Sequence, residues 1–249
     1  MDHPNIVEFK VSAKYALFSD PITRVGGEKF TYQIPTYQAL KGILESVYWK
    51  PTLIWYIDAV RVMKNIQTQS SGIRPIEYSG GNTLSIYTYL KDVEYQVRAH
   101  FEWNENRPEL VKDRNENKHH NVAKRMIERG GRRDIFLGTR ECQGYVEPCV
   151  FGEDIGTYDT LEELSFGLMF HGFTYPDEAV SEEEKDKVYT RFWIPKMKKG
   201  VISFPRPEEC DRKRYIKDMK MKTFDKNNFS GLEEFEKEGA ELELDRETL

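Results

Sequence analysis

From Asp92 to Trp103 the chain alternates without a break. Val93, Tyr95, Val97, Ala99, Phe101 and Trp103 are apolar, and Asp92, Glu94, Gln96, Arg98, His100 and Glu102 between them are polar. A period of two is the signature of a β-strand with one face buried, because successive side chains leave opposite faces. A helix would scatter the same apolar residues around its axis, so this segment commits the fold to a sheet with a covered side.

The rest of the chain can be placed around that strand. Residues 6–18 mix β-formers with polar residues, end at Asp20-Pro21 and are followed by the turn signal Gly26-Gly27, which predicts a second strand. After Pro35, Thr36 is a suitable N-cap. Leu40, Ile43, Leu44 and Val47 then repeat at helical spacing until Pro51 stops them, so a helix ends near Tyr48. Residues 53–57 and 60–66 read as a strand or a bent strand pair. Residues 70–82, with Gly72, Pro75, Gly80 and Gly81, read as a loop. Val122, Ala123, Met126 and Ile127 mark a short helix capped by Gly130-Gly131, and a further strand begins at Ile135. The order βαββαβ predicts an α+β fold, a ferredoxin-like split like that of the RNA recognition motif. The aromatic signature of that motif is absent, so bases stacked across the sheet face are not expected. Residues 1–160 are expected to form this domain. Residues 161–224, with short apolar stretches between turn signals, should form a small β-rich C-terminal extension, and residues 225–249 a charged, mobile tail.

A net charge of −5 argues at first against a nucleic-acid partner. Its distribution reverses the argument. Nine acids against three bases after residue 224 give the tail −6 and leave residues 1–224 at +1. Between Arg107 and Arg133 nine Lys and Arg residues face only Glu109, Asp113, Glu116 and Glu128. No apolar run approaches the roughly 20 residues that span a bilayer, and the N-terminus has no signal-peptide order. A soluble, cytoplasmic protein without a membrane partner is the expectation. Cys142, Cys149 and Cys210 suggest neither a disulfide framework nor a zinc ribbon and are expected to be reduced.

Three segments carry chemistry-bearing residues: Tyr48-Trp49-Lys50-Pro51 at a helix end, Asn117-Lys118-His119-His120 at a helix start, and the stretch from Gly130-Gly131-Arg132-Arg133 to Gly138, Arg140 and Cys142. With residues 16–21, 35–42 and 74–78, they resemble the CRISPR-associated Cas-five family of subtype I-C, d variant, over residues 7–224. The resemblance implies a ferredoxin-like domain with a β extension that cleaves precursor CRISPR RNA. Its catalytic tyrosine, lysine and histidine fall on Tyr48, Lys118 and His119. The implied partners are precursor and mature CRISPR RNA with its repeat hairpin, the backbone and large subunits of a type I-C interference complex, and target DNA only indirectly.

These residue types suit metal-independent RNA cleavage, in which the 2′-hydroxyl attacks the neighbouring phosphorus and leaves a 2′,3′-cyclic phosphate. Histidine moves protons near neutral pH, and lysine offers positive charge to the phosphorane. Tyrosine, with its high ordinary pKa, is better suited to orient a hydroxyl or phosphate oxygen than to act as a free phenolate. Sequence alone does not divide the roles of base and acid between Tyr48 and His119. Arg114, Arg125, Arg129, Arg132, Arg133 and Arg140 are candidate phosphate contacts, since guanidinium forks match phosphate geometry. No cofactor and no metal site is expected, because adjacent histidines rarely share an ion and no metal-ligand spacing accompanies them. Taken singly, Tyr48 would be a rim aromatic and the Lys-His-His run a solvated loop; their co-occurrence is what raises them. His100 and His171 are expected to be structural. The alternative is a non-catalytic subunit that caps the 5′ handle of a guide RNA already cut.

Overall fold

A computed structural model describes residues 5–21 and 23–221. The predicted tail lies outside the described residues. The elements are β1 (Val7–Ala16), β2 (Lys29–Phe30), α1 (Tyr37–Val47), β3 (Leu53–Val62), β4 (Thr68–Ile73), β5 (Ser85–Trp103) and α2 (Glu116–Glu128). There follow β6 (Ile135–Phe136), β7 (Gln143–Pro148), β8 (Leu164–Ser165), β9 (Met169–Thr174), β10 (Lys187–Trp193), β11 (Lys196–Lys198), β12 (Val201–Ser203) and β13 (Arg212–Asp218).

The central strands lie in the order β7-β1-β5-β3 with every neighbour antiparallel, the ferredoxin-like split arrangement. Both crossover helices pack on this sheet. α1 starts where the Thr36 side chain accepts the Ala39 amide, and it buries Leu40, Ile43, Leu44 and Val47. Each such side chain taken from water stabilises the fold by roughly 1.5–3 kcal/mol. The sheet continues past β3 through β12, β11 and β8, while β13, β10 and β9 form a separate three-stranded sheet. The extension is therefore hydrogen-bonded to the central sheet through Ile202 opposite Val60.

Several predicted details change in the structure. β3 is one strand, bent by a register irregularity between Ile57 and Ala59. β5 begins eight residues before Val93, and its alternation changes phase at Asp92, which has a φ of 51°. Its polar face is also not open throughout. Gln96 and His100 are buried, Gln96 by bonds to the Glu153 carbonyl, the Gly152 amide and Arg61. The segment read as a loop from residue 70 contains most of β4, which pairs with the outer half of β5. Its first four residues are polar and exposed, so backbone pairing leaves no hydrophobic alternation to read. The strand predicted at Ile135 is only two residues long, and β7 provides the partner for β1.

His100 is a structural residue, bonded to Asp58 at 2.7 Å and stacked on Tyr56. His171 fixes the extension to α1: its ring stacks on Tyr37 at 4.2 Å, and its Nε2–H donates to the Pro205 carbonyl at 3.1 Å. Burial is the main force that pushes the His171 pKa down to about 4. The unfolded chain binds a proton at this residue near pH 6.5, whereas the native chain resists one until about 4. Stability should therefore fall as pH drops through that window. Denaturant titrations should show His171 contributing about 1–2 kcal/mol of loss between pH 7 and 5, and His171→Phe should remove that share. An identical pH dependence in the variant would show that His171 is protonated without penalty.

Candidate active site

Tyr48 is the residue at which α1 stops, with extended backbone (φ −154°, ψ 123°). Its amide donates to the Leu44 carbonyl and its own carbonyl accepts the Trp55 indole N–H, both at 2.8 Å. The phenol is thus carried on a backbone fixed from both sides. α2 starts at Asn115, whose side chain accepts the Lys118 amide at 3.0 Å. One turn in, His119 shares the buried stripe of Ala123 and Ile127 and is fully enclosed, with Phe101 and Trp103 set edge-on against its ring.

A buried imidazole needs partners for both nitrogens. The Asp113 backbone carbonyl lies 2.8 Å from Nε2, and the Tyr48 hydroxyl lies 2.7 Å from Nδ1. A carbonyl can only accept, so Nε2 carries the proton and the bare Nδ1 accepts from Tyr48. Asp113 ends a short 3-10 helix, Pro108–Asp113. Its carboxylate accepts from the Lys118 ammonium at 2.5 Å and the Thr52 hydroxyl at 2.8 Å, and comes within 3.4 Å of His119 Nε2. Those two donors, Lys118 first, hold the Asp113 carboxyl below its usual range. Burial, with Asp113 adding to it, pushes the Tyr48 phenol up, and the nearby Arg132 opposes the shift.

The structure therefore brings Tyr48, Lys118 and His119 together, although not as equals. Lys118 is exposed, Tyr48 is 5% exposed and His119 is buried behind it. Asp113 and Thr52 join them and were not singled out from the sequence. The one available signal was the helical stripe: stepping back four residues from Ala123 lands on His119. Asp113 lies in a turn with no period to mark it.

The candidate arginines divide. Arg114 is already committed, its Nη1 donating to both Glu105 carboxylate oxygens and its Nη2 to the Asn104 carbonyl. Arg125 and Arg129 lie on the exposed side of α2, and Arg140 rests over Phe136. Gly130 and Gly131 adopt positive φ (81° and 107°) and end α2 through bonds from their amides to Ile127 and Met126. That turn carries Arg132 and Arg133 to the end of α1. There they line a cleft of about 310 Å³ with Gly42, Glu45, Ser46 and Trp49. A second cleft, of about 440 Å³, lies near the start of α1 beside Thr36, Gln38 and Gly138. Among the described residues no three His, Cys, Asp or Glu side chains come together as a metal site, and no helix is long and apolar enough to cross a membrane. All three cysteines are free thiols.

A ferredoxin-like sheet with a β extension and a Tyr-His-Asp-Lys cluster between its crossover helices defines the class, and comparison with known proteins agrees. Residues 6–205 match the family model described as CRISPR-associated protein (Cas_Cas5), in its Cas5d form, and the chain belongs to that family. A crystal structure described as a CRISPR-associated protein is 36% identical, superposes with a TM-score of 0.71, and is matched over 84% of this chain and 96% of its own. Two curated relatives are named CRISPR pre-crRNA endoribonuclease Cas5d. The one from Mannheimia succiniciproducens is 29% identical over 39% of this chain and 52% of its own length. The one from Thermus thermophilus is 26% identical over 57% and 63%. The chain thus spans between about half and two thirds of these relatives' lengths.

The hydrogen-bond directions can be tested in the free protein. Nitrogen NMR of the His119 ring should find Nε2 protonated and Nδ1 bare. Tyr48→Phe should cost about 1–3 kcal/mol of stability by leaving a buried acceptor without a donor. A ring protonated at Nδ1 would reverse the assignment and require Tyr48 to accept.

Proposed function

We propose that this chain is a metal-independent endoribonuclease that cuts precursor CRISPR RNA 3′ of the repeat hairpin and stays on its product. The observation that carries the reading is the 2.7 Å hydrogen bond from the Tyr48 hydroxyl to His119 Nδ1, at the end of a chain of contacts through Asp113 to Lys118. While Tyr48 donates to His119, its oxygen lone pairs can accept the proton of a 2′-hydroxyl. As that hydroxyl attacks phosphorus, its proton passes to the Tyr48 oxygen and the phenolic proton passes to Nδ1. The phenolate is never a free species, which suits a phenol whose pKa burial has raised. The imidazolium formed is steadied by the Asp113 carbonyl and by the carboxylate 3.4 Å away, the part a carboxylate plays in a hydrolytic triad. Lys118, on the open side, stabilises the phosphorane charge. The P–O5′ bond breaks, and the departing 5′-oxygen takes a proton from water. The imidazolium returns its proton through Tyr48 to solvent, so the proton lost from the 2′-hydroxyl is balanced by the one the 5′-hydroxyl product carries. His119 is here the base that acts through Tyr48, while Arg125, Arg129, Arg132, Arg133 and Arg140 contact phosphates. The partners in this reading are the RNA before and after cutting and the backbone and large subunits of a type I-C interference complex.

One observation favours the second reading, a non-catalytic subunit that caps the 5′ handle. His119 is fully buried with both nitrogens satisfied, as a purely structural histidine would be.

Cleavage of repeat RNA separates the two. His119→Ala should slow cutting by about 10²–10⁴-fold with affinity little changed, and the wild type should keep its rate in excess EDTA. RNA with a single deoxynucleotide 5′ of the cut should bind tightly and remain whole. Cutting of that RNA at the normal rate would make water the nucleophile and remove the relay. No cutting of any repeat RNA by the folded wild type would leave the handle-binding reading.

A further inference from the structure

The cleft between the end of α1 and the turn after α2 collects groups that the fold itself leaves unused. Trp49, the residue after Tyr48, is 40% exposed. Among the described residues its ring stacks on no other ring and its indole N–H has no acceptor. Arg132 and Arg133 are exposed and have no ion pair or hydrogen bond among the described residues. Arg114, by contrast, is held by Glu105 and Asn104. Glu45, also on the wall, accepts no hydrogen bond among the described residues.

An indole face, two uncommitted guanidiniums and a carboxyl around one cleft of about 310 Å³ form a consistent chemical set. The guanidiniums suit a phosphate. The indole offers a stacking platform to any base. Only an unpaired nucleotide can offer its base face, because in a duplex both faces are covered. The cleft also lies beside the proposed chemistry, since Arg132 is near enough to Tyr48 to oppose the rise in its phenol pKa.

We infer that this cleft is a nucleotide subsite, which holds one unpaired nucleotide of the RNA next to the scissile bond with its base on Trp49 and a phosphate on Arg132 and Arg133. Glu45 faces the base edge. Burial pushes its carboxyl up to about 7, against the pull of Lys41, so near neutral pH it can donate to a base acceptor or accept from a base N–H. The subsite would fix the RNA strand relative to Tyr48, which aligns the attacking hydroxyl. This inference rests on the reading that the chain binds repeat RNA, but it does not require that the RNA be cut.

The test is a coupling measurement on RNA that cannot be cleaved. Repeat RNA with the single deoxynucleotide 5′ of the cut is made with one abasic replacement at a time across the nucleotides around that bond. Dissociation constants are measured for the full chain as wild type, Trp49→Ala, Trp49→Phe and Arg132→Gln. At one position beside the cut, loss of the base should weaken wild-type binding about 10-fold, within the range for one base–aromatic stack. It should weaken Trp49→Ala binding less than about 2-fold, because the stack is already gone. Trp49→Phe should keep most of the coupling. Arg132→Gln should bind every RNA more weakly, with a shallower dependence on salt, and leave the abasic effect in place. If Trp49→Ala fails to fold, Trp49→Leu takes its place, because it keeps apolar bulk without an aromatic face and should lose the coupling as the alanine does. The inference is overturned if no abasic position distinguishes wild type from the Trp49 variant without an aromatic face, or if that variant weakens all the RNAs equally. A protein that binds and shows the coupling but never cuts intact RNA keeps the subsite and loses the nuclease; one that cuts without coupling does the reverse.

Discussion

An imidazole enclosed by protein has two nitrogens that water cannot reach, and each must find a partner or cost the fold a desolvated polar group. His119 occupies a position on α2 where the stripe of Ala123 and Ile127 would otherwise place a hydrophobe. Satisfying it draws in two distant parts of the chain: Tyr48 at the end of α1 and the Asp113 carbonyl just before α2. The two crossover helices are thereby tied to each other at their ends, over the aromatic floor of Phe101 and Trp103 supplied by β5. Asp113 in turn fixes Lys118 and Thr52, so the approach of four side chains follows from one buried ring.

β5 is the hydrogen-bonded frame on which this arrangement rests. It pairs with β1 and β3 along its inner half and with β2 and β4 along its outer half. Its inner alternation was legible because Phe101 and Trp103 alternate with water-facing or covered polar residues in strict order. Its outer half was not, since Asp92 changes the phase and β4 contributes mostly exposed polar residues. Helix α1 was read nearly to the residue because Thr36 and the apolar repeat are local signals. β7 was missed because Gln143, Gly144 and Glu147 carry little strand propensity, and its place is set by pairing with β1. The same division holds at the site. Tyr48 and His119 sit in segments that can be recognised, whereas Asp113 is joined to Lys118 and His119 by the fold of a turn.

Electrostatics follow local rather than total charge. Arg114 is held by Glu105, and Lys10 by Glu147, so these cations are already neutralised on the surface. Arg132 and Arg133 are presented instead by a glycine turn whose positive φ values exclude most other residues. The geometry of that turn, rather than the number of basic residues, decides which cations face the end of α1. A net negative chain can in this way hold a cationic surface where nucleic acid would approach, within the ~8–10 Å over which charges act in physiological salt.

In the proposed reaction, the burial that makes His119 look structural would also set the direction in which it acts. A solvent-exposed histidine could exchange protons with water and would be one acid-base group among many. Enclosed as it is, His119 can exchange a proton only through Tyr48 or toward Asp113, and the Asp113 carbonyl oxygen has no proton to give. Among the described residues Tyr48 is thus the one hydrogen-bond donor to the ring. In the proposed reaction the hydroxyl that satisfies the ring in the resting fold would also be the path by which the ring acts, so fold stability and proton transfer would draw on the same hydrogen bond. Asp113 adds a constraint of sign: its carboxylate, kept charged by Lys118 and Thr52, favours an imidazolium beside it. In the proposed reaction that charge would offset part of the cost of the imidazolium formed when Tyr48 passes on its proton.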